Sequence, residues 1–127
     1  MKISIGATGP ADPQVVWDRY VHPDRWSEWS PQITAVNYPA DEISDGGRGT
    51  VNGPCGIGLD FEILHVDSEN RCWTWRVKPV GVELVMTHAV LAQDGGTRTT
   101  LEIHGPLPII VGYAPIARIA LGRLVRS

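Results

Sequence analysis

His88 stands in the run LVMTHAV, where Leu84, Met86 and Val90 share its side of an alternating pattern and make that side apolar. A histidine so placed can work as a general acid or base, or donate a hydrogen bond to a ligand carbonyl. It can equally be a structural residue satisfied by a backbone carbonyl or water, the commoner fate of a lone core histidine. His65 falls on the same face by strand parity but nearer a turn, and Tyr20 is the other group able to assist a proton transfer. No two histidines have HxH or HxxxH spacing and neither cysteine joins them, so the sequence predicts no metal site. The glycines of GGRGTVNGPCGIG lack the Lys-Ser/Thr of a phosphate loop and read as a strand connection that could lie over a cavity. Cys55, beside Pro54, has no recognisable base, and no GxSxG elbow occurs. His104 alternates onto the outer face, while His22 precedes Pro23 at a turn.

The segment VWDRYVHPDRWSEWSPQI, residues 16 to 33, gathers Trp17, Tyr20, Trp26 and Trp29 beside His22, Asp24 and Glu28. Such rings carry an apolar body and a polar tip, which suits a boundary between dry and wet. Filling a small core is the other use open to them.

A chain of 127 residues is one domain by length, and at that size about two-thirds of the unfolded surface is buried on folding. With 43% hydrophobic and 20% charged residues, 14 glycines and 10 prolines, the chain is globular and rich in turns and strands. A net charge of -3 opposes general nucleic-acid binding. The basic residues Arg118, Arg123 and Arg126 near the end suit a helix C-terminus. The apolar run from Gly105 to Ala117 is short for a membrane span and holds three prolines. MKISIG is not followed by the apolar region of a secretory signal, so the expected location is cytoplasmic and Cys55 and Cys72 are expected to be reduced.

These groups need elements to position them. Lys2–Gly6 predicts a first strand. Asp12-Pro13 predicts a helix start, with aspartate as N-cap and proline at the first position. Val16, Trp17, Tyr20 and Val21 make the apolar stripe, and Pro23 ends the helix. A second short turn, Pro23 to Trp29, follows. Strands are expected over Ile33–Tyr38, Gly49–Gly53, Leu59–Asp67, Arg71–Pro79, Val82–Gln93 and Thr97–Gly105. Charge pairing sets the first register: Asp67 against Arg71 puts Glu62 opposite Arg76 and Asp60 opposite Lys78, on a solvated outer face. Phe61, Ile63, His65, Trp73, Trp75 and Val77 then share the inner face. A turn at Val80-Gly81 sets Lys78 against Glu83 and Trp73 against His88. A turn at Gly95-Gly96 sets Ala92 against Thr99, Val90 against Leu101 and His88 against Ile103. His65, Trp73, His88 and Ile103 thus form one inward row. The terminal segment is expected to be a helix with Ile116, Ala120 and Leu124 as its stripe, kinked at or begun by Pro115. The fold class is α+β, an antiparallel sheet with helices on one face.

Three stretches carry a resemblance: VVWDRYVHPDRWSEWSPQI after the first strand, the late strand MTHAVLAQDGGTRTTLEIHGPL, and the helix behind it. Together they resemble the START/Bet v 1-like (SRPBCC) superfamily, and within it the small polyketide cyclase/dehydrase-like proteins, over nearly the whole chain as a single domain, 1-127. The resemblance implies a helix-grip fold: a curved antiparallel sheet wrapped around a C-terminal helix, with two short helices at the rim of an enclosed cavity. It implies that Trp17 and Tyr20 face inward, that Trp26 and Trp29 close one end, and that the ligand-binding wall draws on Trp17, Tyr20, Trp26, Phe61, Ile63, His65, Trp73, Trp75, Met86, His88 and Ile103. A final helix that is short for the family and interrupted at Pro115 would leave the cavity smaller, more open, or completed by a second subunit. This fold hosts carriers, cyclases and receptors alike, so three functions follow. The first is binding of a hydrophobic or aromatic small molecule such as a polyketide, lipid or isoprenoid. The second is a cyclase, aromatase or dehydratase with His88 as catalytic acid/base. The third is an interaction module or homodimer using Trp26, Trp29 and the apolar C-terminal segment. None requires a cofactor.

Overall fold

Alternating inward and outward side chains commit most of the chain to strands, and one sheet takes them all. The computed structural model describes residues 1–53, 57–78 and 81–126. In chain order the elements are β1 (Lys2–Gly9), α1 (Pro13–Val21), a single 3-10 turn (Pro23–Arg25), α2 (Trp26–Trp29), β2 (Ala35–Asn37), β3 (Arg48–Asn52), β4 (Gly58–Asp67), β5 (Cys72–Val77), β6 (Leu84–Gln93), β7 (Gly96–His104) and α3 (Leu107–Leu124). The strands lie in the order β1-β7-β6-β5-β4-β3-β2, every neighbour antiparallel. The first strand therefore pairs along its whole length with the last, from Lys2 opposite His104 to Gly9 opposite Thr97. The helices α1, α2 and α3 cover one face of this sheet, with Val16, Tyr20, Trp26, Ile110, Leu121 and Leu124 among the buried residues. This is the α+β, helix-grip architecture that the resemblance implied.

Local chemistry explains the ends of the elements. Asp12 Oδ1 accepts the Gln14 N–H at 3.0 Å and starts α1, with Pro13 at its first position as expected. At the other end the last four carbonyls lack helical donors, and each finds a partner. His22 Nδ1 donates to Asp18 O at 2.7 Å, Trp29 Nε1 to Arg19 O at 3.1 Å, Trp26 Nε1 to Tyr20 O at 2.8 Å, and the Ile43 amide to Val21 O at 2.9 Å. The Arg19 guanidinium reaches across to the end of α3, donating to Leu124 O at 2.6 Å and Arg126 O at 2.7 Å. A cation at a helix C-terminus is favourable, so Arg19 binds the first helix to the last.

The sheet corrects the expected registers in three places. Between β4 and β5, Glu62 does face Arg76 and the two form an ion pair, but Asp67 pairs with Cys72 rather than Arg71. Arg71 belongs to the turn, at φ 52, so the loop is one residue longer than the charge pattern predicts, and an irregularity between Ile63 and His65 absorbs the extra residue. Beyond that bulge parity inverts: Val66 faces Trp73, and His65 turns outward to Asp45, with Nδ1 and Oδ2 3.5 Å apart. The β6–β7 turn is Asp94-Gly95, with Gly95 at φ 78, not Gly95-Gly96. The two-residue slip keeps every side chain on its predicted face but sets Val90 against Thr99, His88 against Leu101 and Met86 against Ile103. Trp73 does oppose His88. On the outer face Asp60 accepts from the Thr50 hydroxyl at 2.9 Å and Glu83 pairs with Arg76 at 3.6 Å; the ladders keep the expected register as far as Val77, opposite Phe61 and Leu84, and end one residue short of Lys78. Val80, in the turn expected between β5 and β6, and Pro54 and Cys55 lie outside the described residues.

The terminal helix also differs from expectation. It is continuous through Pro115 and begins at Leu107. Its buried stripe is Ile110, Ala117, Ala120, Leu121 and Leu124, while Ile116 is 38% exposed. Pro115 faces outward, so the Val111 carbonyl that loses its helical donor lies on the solvent side. By length and a mean hydropathy of 1.4 this helix would be able to cross a membrane, yet its inner residues pack against the sheet.

Two glycines give opposite expected outcomes. A Cβ at Gly96 would run into the backbone of Gly9 and Pro10, whereas at Gly122, inside α3, it meets no atom within 4 Å. Gly96→Ala should lose about 1–3 kcal/mol through overpacking, and Gly122→Ala should gain about 0.5–1 kcal/mol through helix propensity. Urea unfolding followed by circular dichroism measures both; equal effects would contradict this backbone packing.

Candidate functional site

Between the sheet and α3 lies a cavity of about 400 Å³. Its sheet wall carries Trp73 and Trp75 from β5, Met86 and His88 from β6 and Leu101 from β7; Trp26 and Trp29 of α2 line it as well. The α3 side of the lining combines large residues, Ile109, Tyr113, Ile116 and Leu121, with the small Gly112, Ala117 and Ala120. No charged side chain lines it among the described residues.

The rings form one cluster. Trp73 stacks on His88 with centroids 4.7 Å apart and planes 12° apart, on Trp75 at 5.4 Å and on Trp26 at 5.5 Å. Tyr20 meets the edges of Trp73, His88 and Trp29 at 5.6, 4.9 and 5.6 Å.

The polar groups among these rings are ordered by what each can donate. An indole N–H only donates, so Trp75 Nε1, 3.0 Å from His88 Nε2, requires that nitrogen to be the bare acceptor. The ring proton is then on Nδ1, which donates to the Tyr20 hydroxyl at 3.2 Å. Tyr20 in turn donates to Thr99 Oγ1 at 2.5 Å, and Thr99 to the Ala89 carbonyl at 2.9 Å. The chain Trp75, His88, Tyr20, Thr99, Ala89 is thus directional from end to end. Burial without any anionic partner drives the His88 pKa down to about 3, and burial raises that of Tyr20 despite the opposing hydrogen bond to Thr99. The imidazole is neutral and both its nitrogens are engaged by the protein.

A second set of polar groups comes from Gln32 and α3. Gln32 Nε2 donates to the Tyr113 hydroxyl at 2.9 Å; burial pushes that phenol up to about 12, against the lowering effect of Gln32. Two polar atoms on cavity-lining residues have no partner: the acceptor Gln32 Oε1 and the donor Trp73 Nε1.

Of the residues expected at the site, Trp26, Trp73, Trp75, Met86 and His88 come together on the wall. Trp17, Tyr20, Phe61, Ile63 and Ile103 are buried in the core but do not line the cavity, and His65 faces solvent. Because Trp26 and Trp29 are 1% and 6% exposed, they are not available to a partner surface as expected. The outer side of α3 does expose Leu107, Val111 and Ile119. Sequence reasoning missed Gln32 and Tyr113, which only the fold brings together. Their signal was weak: a glutamine at the exit of a tryptophan-rich turn, and a tyrosine in an otherwise apolar helix. Among the described residues no group of His, Cys, Asp or Glu is placed to hold a metal ion.

A seven-stranded antiparallel sheet gripping a C-terminal helix around a hollow is the Bet v 1-like, helix-grip fold. The chain belongs to the polyketide cyclase/dehydrase and lipid transport family, whose pattern it matches over residues 2–127. Solved structures share the fold at low identity. Ara h 8.0201 aligns with TM-score 0.73 and 12% identity over 98% of this chain and 97% of its own. A protein of Nitrosospira multiformis aligns with TM-score 0.81 and 16% identity, covering 98% and 94%. A hypothetical protein of Helicobacter pylori aligns with TM-score 0.82 and 12% identity, covering 98% and 86%. No functionally curated protein matches the sequence.

The depressed His88 pKa sets an acid limit on stability. Below about pH 6.5 the unfolded chain takes up a proton at this position, while the folded chain does not until about pH 3. Stability from this group is complete above 6.5 and falls by up to about 1.4 kcal/mol for each unit of pH lost across that window. His88→Gln should flatten the slope, measured by urea unfolding at a series of pH values; an unchanged slope would assign the acid sensitivity to other groups.

Proposed function

We propose that the protein binds a hydrophobic or aromatic small molecule of the polyketide, lipid or isoprenoid kind in the cavity between the sheet and α3. The observation that carries this reading is the cavity itself: about 400 Å³, walled by four tryptophans and aliphatic side chains, with no charged side chain among the described lining residues. Sites of roughly 300–1,000 Å³ with apolar walls and few polar groups are typical of small-molecule binding. Membership of a family described by both cyclase/dehydrase activity and lipid transport supports a ligand of this kind. The cyclase or dehydratase reading needs a group free to move a proton. His88 is poorly suited to that, because Trp75 occupies its lone pair and Tyr20 takes its N–H. Its role in our reading is that of an uncharged wall residue that holds the aromatic cluster in register.

Gly112 tests this without disturbing the core, since it lines the cavity and a Cβ there meets no atom within 4 Å. Titration with the neutral fluorescent probe N-phenyl-1-naphthylamine should show saturable binding to the native protein. Gly112→Trp should weaken it about tenfold or more, equivalent to about 1.4 kcal/mol, while the circular dichroism melt stays within a few degrees. Native mass spectrometry of freshly purified protein should detect a retained small molecule. Absence of saturable probe binding would refute the proposal.

A further inference from the structure

We infer that the outer face of α3 and the adjoining mouth of the cavity dock onto an anionic lipid surface, from which the ligand enters. The route into the cavity rests on the binding function proposed above, whereas the docking itself does not. The mouth is marked by residues that line the cavity and yet lie open to solvent: Ile57, 62% exposed just before β4, and Gly112 and Ile116 on α3. Of the nine large apolar side chains exposed among the described residues, five belong to this mouth or to α3: Ile57, Leu107, Val111, Ile116 and Ile119. Clustering of that kind marks an interaction surface. Helical spacing sets Val111, Pro115 and Ile119 in a line down the outer side of α3, with Arg118 on one flank and Arg123 on the other, both exposed.

Charge says what covers this face. Every acidic residue of the chain occurs at or before Glu102; beyond it stand Arg118, Arg123 and Arg126 and no aspartate or glutamate, in a protein whose net charge is -3. Among the described residues neither Arg118 nor Arg123 forms an ion pair. A second copy meeting this face about a two-fold axis would set the same arginine-bearing surface against itself, with no acid on the helix to relieve the repulsion. An anionic bilayer meets both demands. The apolar side chains enter the boundary between headgroups and acyl chains, while the flanking arginines reach the lipid phosphates. Ligands of the polyketide, lipid or isoprenoid kind dissolve in that phase, and a mouth opening onto it lets them pass without crossing water.

Co-sedimentation of the full chain with extruded vesicles tests this. The native protein should bind vesicles of equimolar phosphatidylcholine and phosphatidylglycerol, and pure phosphatidylcholine at least about tenfold more weakly. Arg118→Gln with Arg123→Gln should weaken binding to the anionic vesicles about thirtyfold, the weight of two arginines at a charged surface. Val111→Gln with Ile119→Gln should weaken it about tenfold or more through lost apolar burial. None of the four residues lines the cavity. Both double variants should therefore keep the native circular dichroism melt within a few degrees and, without vesicles, bind N-phenyl-1-naphthylamine within about twofold of the native protein. No binding to anionic vesicles, equal binding to neutral and anionic ones, or binding untouched by both double variants overturns this inference. So does a dimer in sedimentation velocity that Val111→Gln with Ile119→Gln dissociates, which would assign the face to a second copy. Vesicle binding without saturable dye binding would uphold the docking and overturn the binding function instead.

Discussion

The neutrality of one buried imidazole holds this structure together. His88 can sit among apolar rings only because an indole N–H meets its bare nitrogen and a phenol oxygen meets its protonated one. Those two demands join β5 to β6 through Trp75 and α1 to the sheet through Tyr20, and the phenol proton then extends the link to Thr99 on β7. The consequences run outward. With Tyr20 fixed, the end of α1 is fixed, and its carbonyls at Arg19 and Tyr20 become the acceptors that seat Trp29 and Trp26. This part of the cavity lining is thus held by the same helix that the histidine anchors.

The walls of the hollow are mainly large apolar groups: the sheet contributes Trp73, Trp75, Met86 and Leu101, α2 adds two more indoles, and α3 adds Ile109, Ile116 and Leu121 beside the small Gly112, Ala117 and Ala120. Side chains that fail to meet across a gap lose the dispersion energy of close packing. Engineered core cavities cost about 24 cal/mol for each Å³, so a natural void of this size is a standing expense. A molecule that fills it restores the missing contacts and stabilises the folded state by mass action. Well-ordered surroundings are needed to keep such a void from collapsing, and the stacked rings around Trp73 and His88 provide them.

Much of this was legible before any coordinates. Alternation in β5 and β6 placed Trp73, Trp75, Met86 and His88 on one face, and the opposition of Glu62 and Arg76 was readable from charge. The misplacement of His65 has a definite cause. A hairpin loop is read from glycine or asparagine at positive φ, but here arginine adopts that conformation, so the longer loop and its compensating bulge left no mark in the sequence. In α3 the difficulty was different. Apolar residues occur on all sides of the helix, so the expected stripe held at Ala120 and Leu124, while Ile116, which lines the cavity, stays 38% exposed and Ala117 and Leu121 join the buried side. Gln32 and Tyr113 meet across most of the chain, a contact that no local pattern encodes.

Trp73 and Trp75 show where residue identity stops being informative. They are the same amino acid, two positions apart, on the same face of one strand, and both line the cavity. Yet one N–H is spent within the protein and the other is not. The difference comes from the neighbours that the register supplies: Trp73 lies directly opposite His88 and stacks flat on it, which aligns the planes of the two rings and keeps the donor away from the imidazole nitrogens. Trp75 lies one pair along, tilted 38° to the same imidazole, and from there its N–H reaches Nε2. Strand pairing, which fixes both geometries, thereby decides which polar group closes the framework and which is left buried without a partner. The chemistry of the cavity is in this sense a property of the sheet register more than of the list of residues that line it.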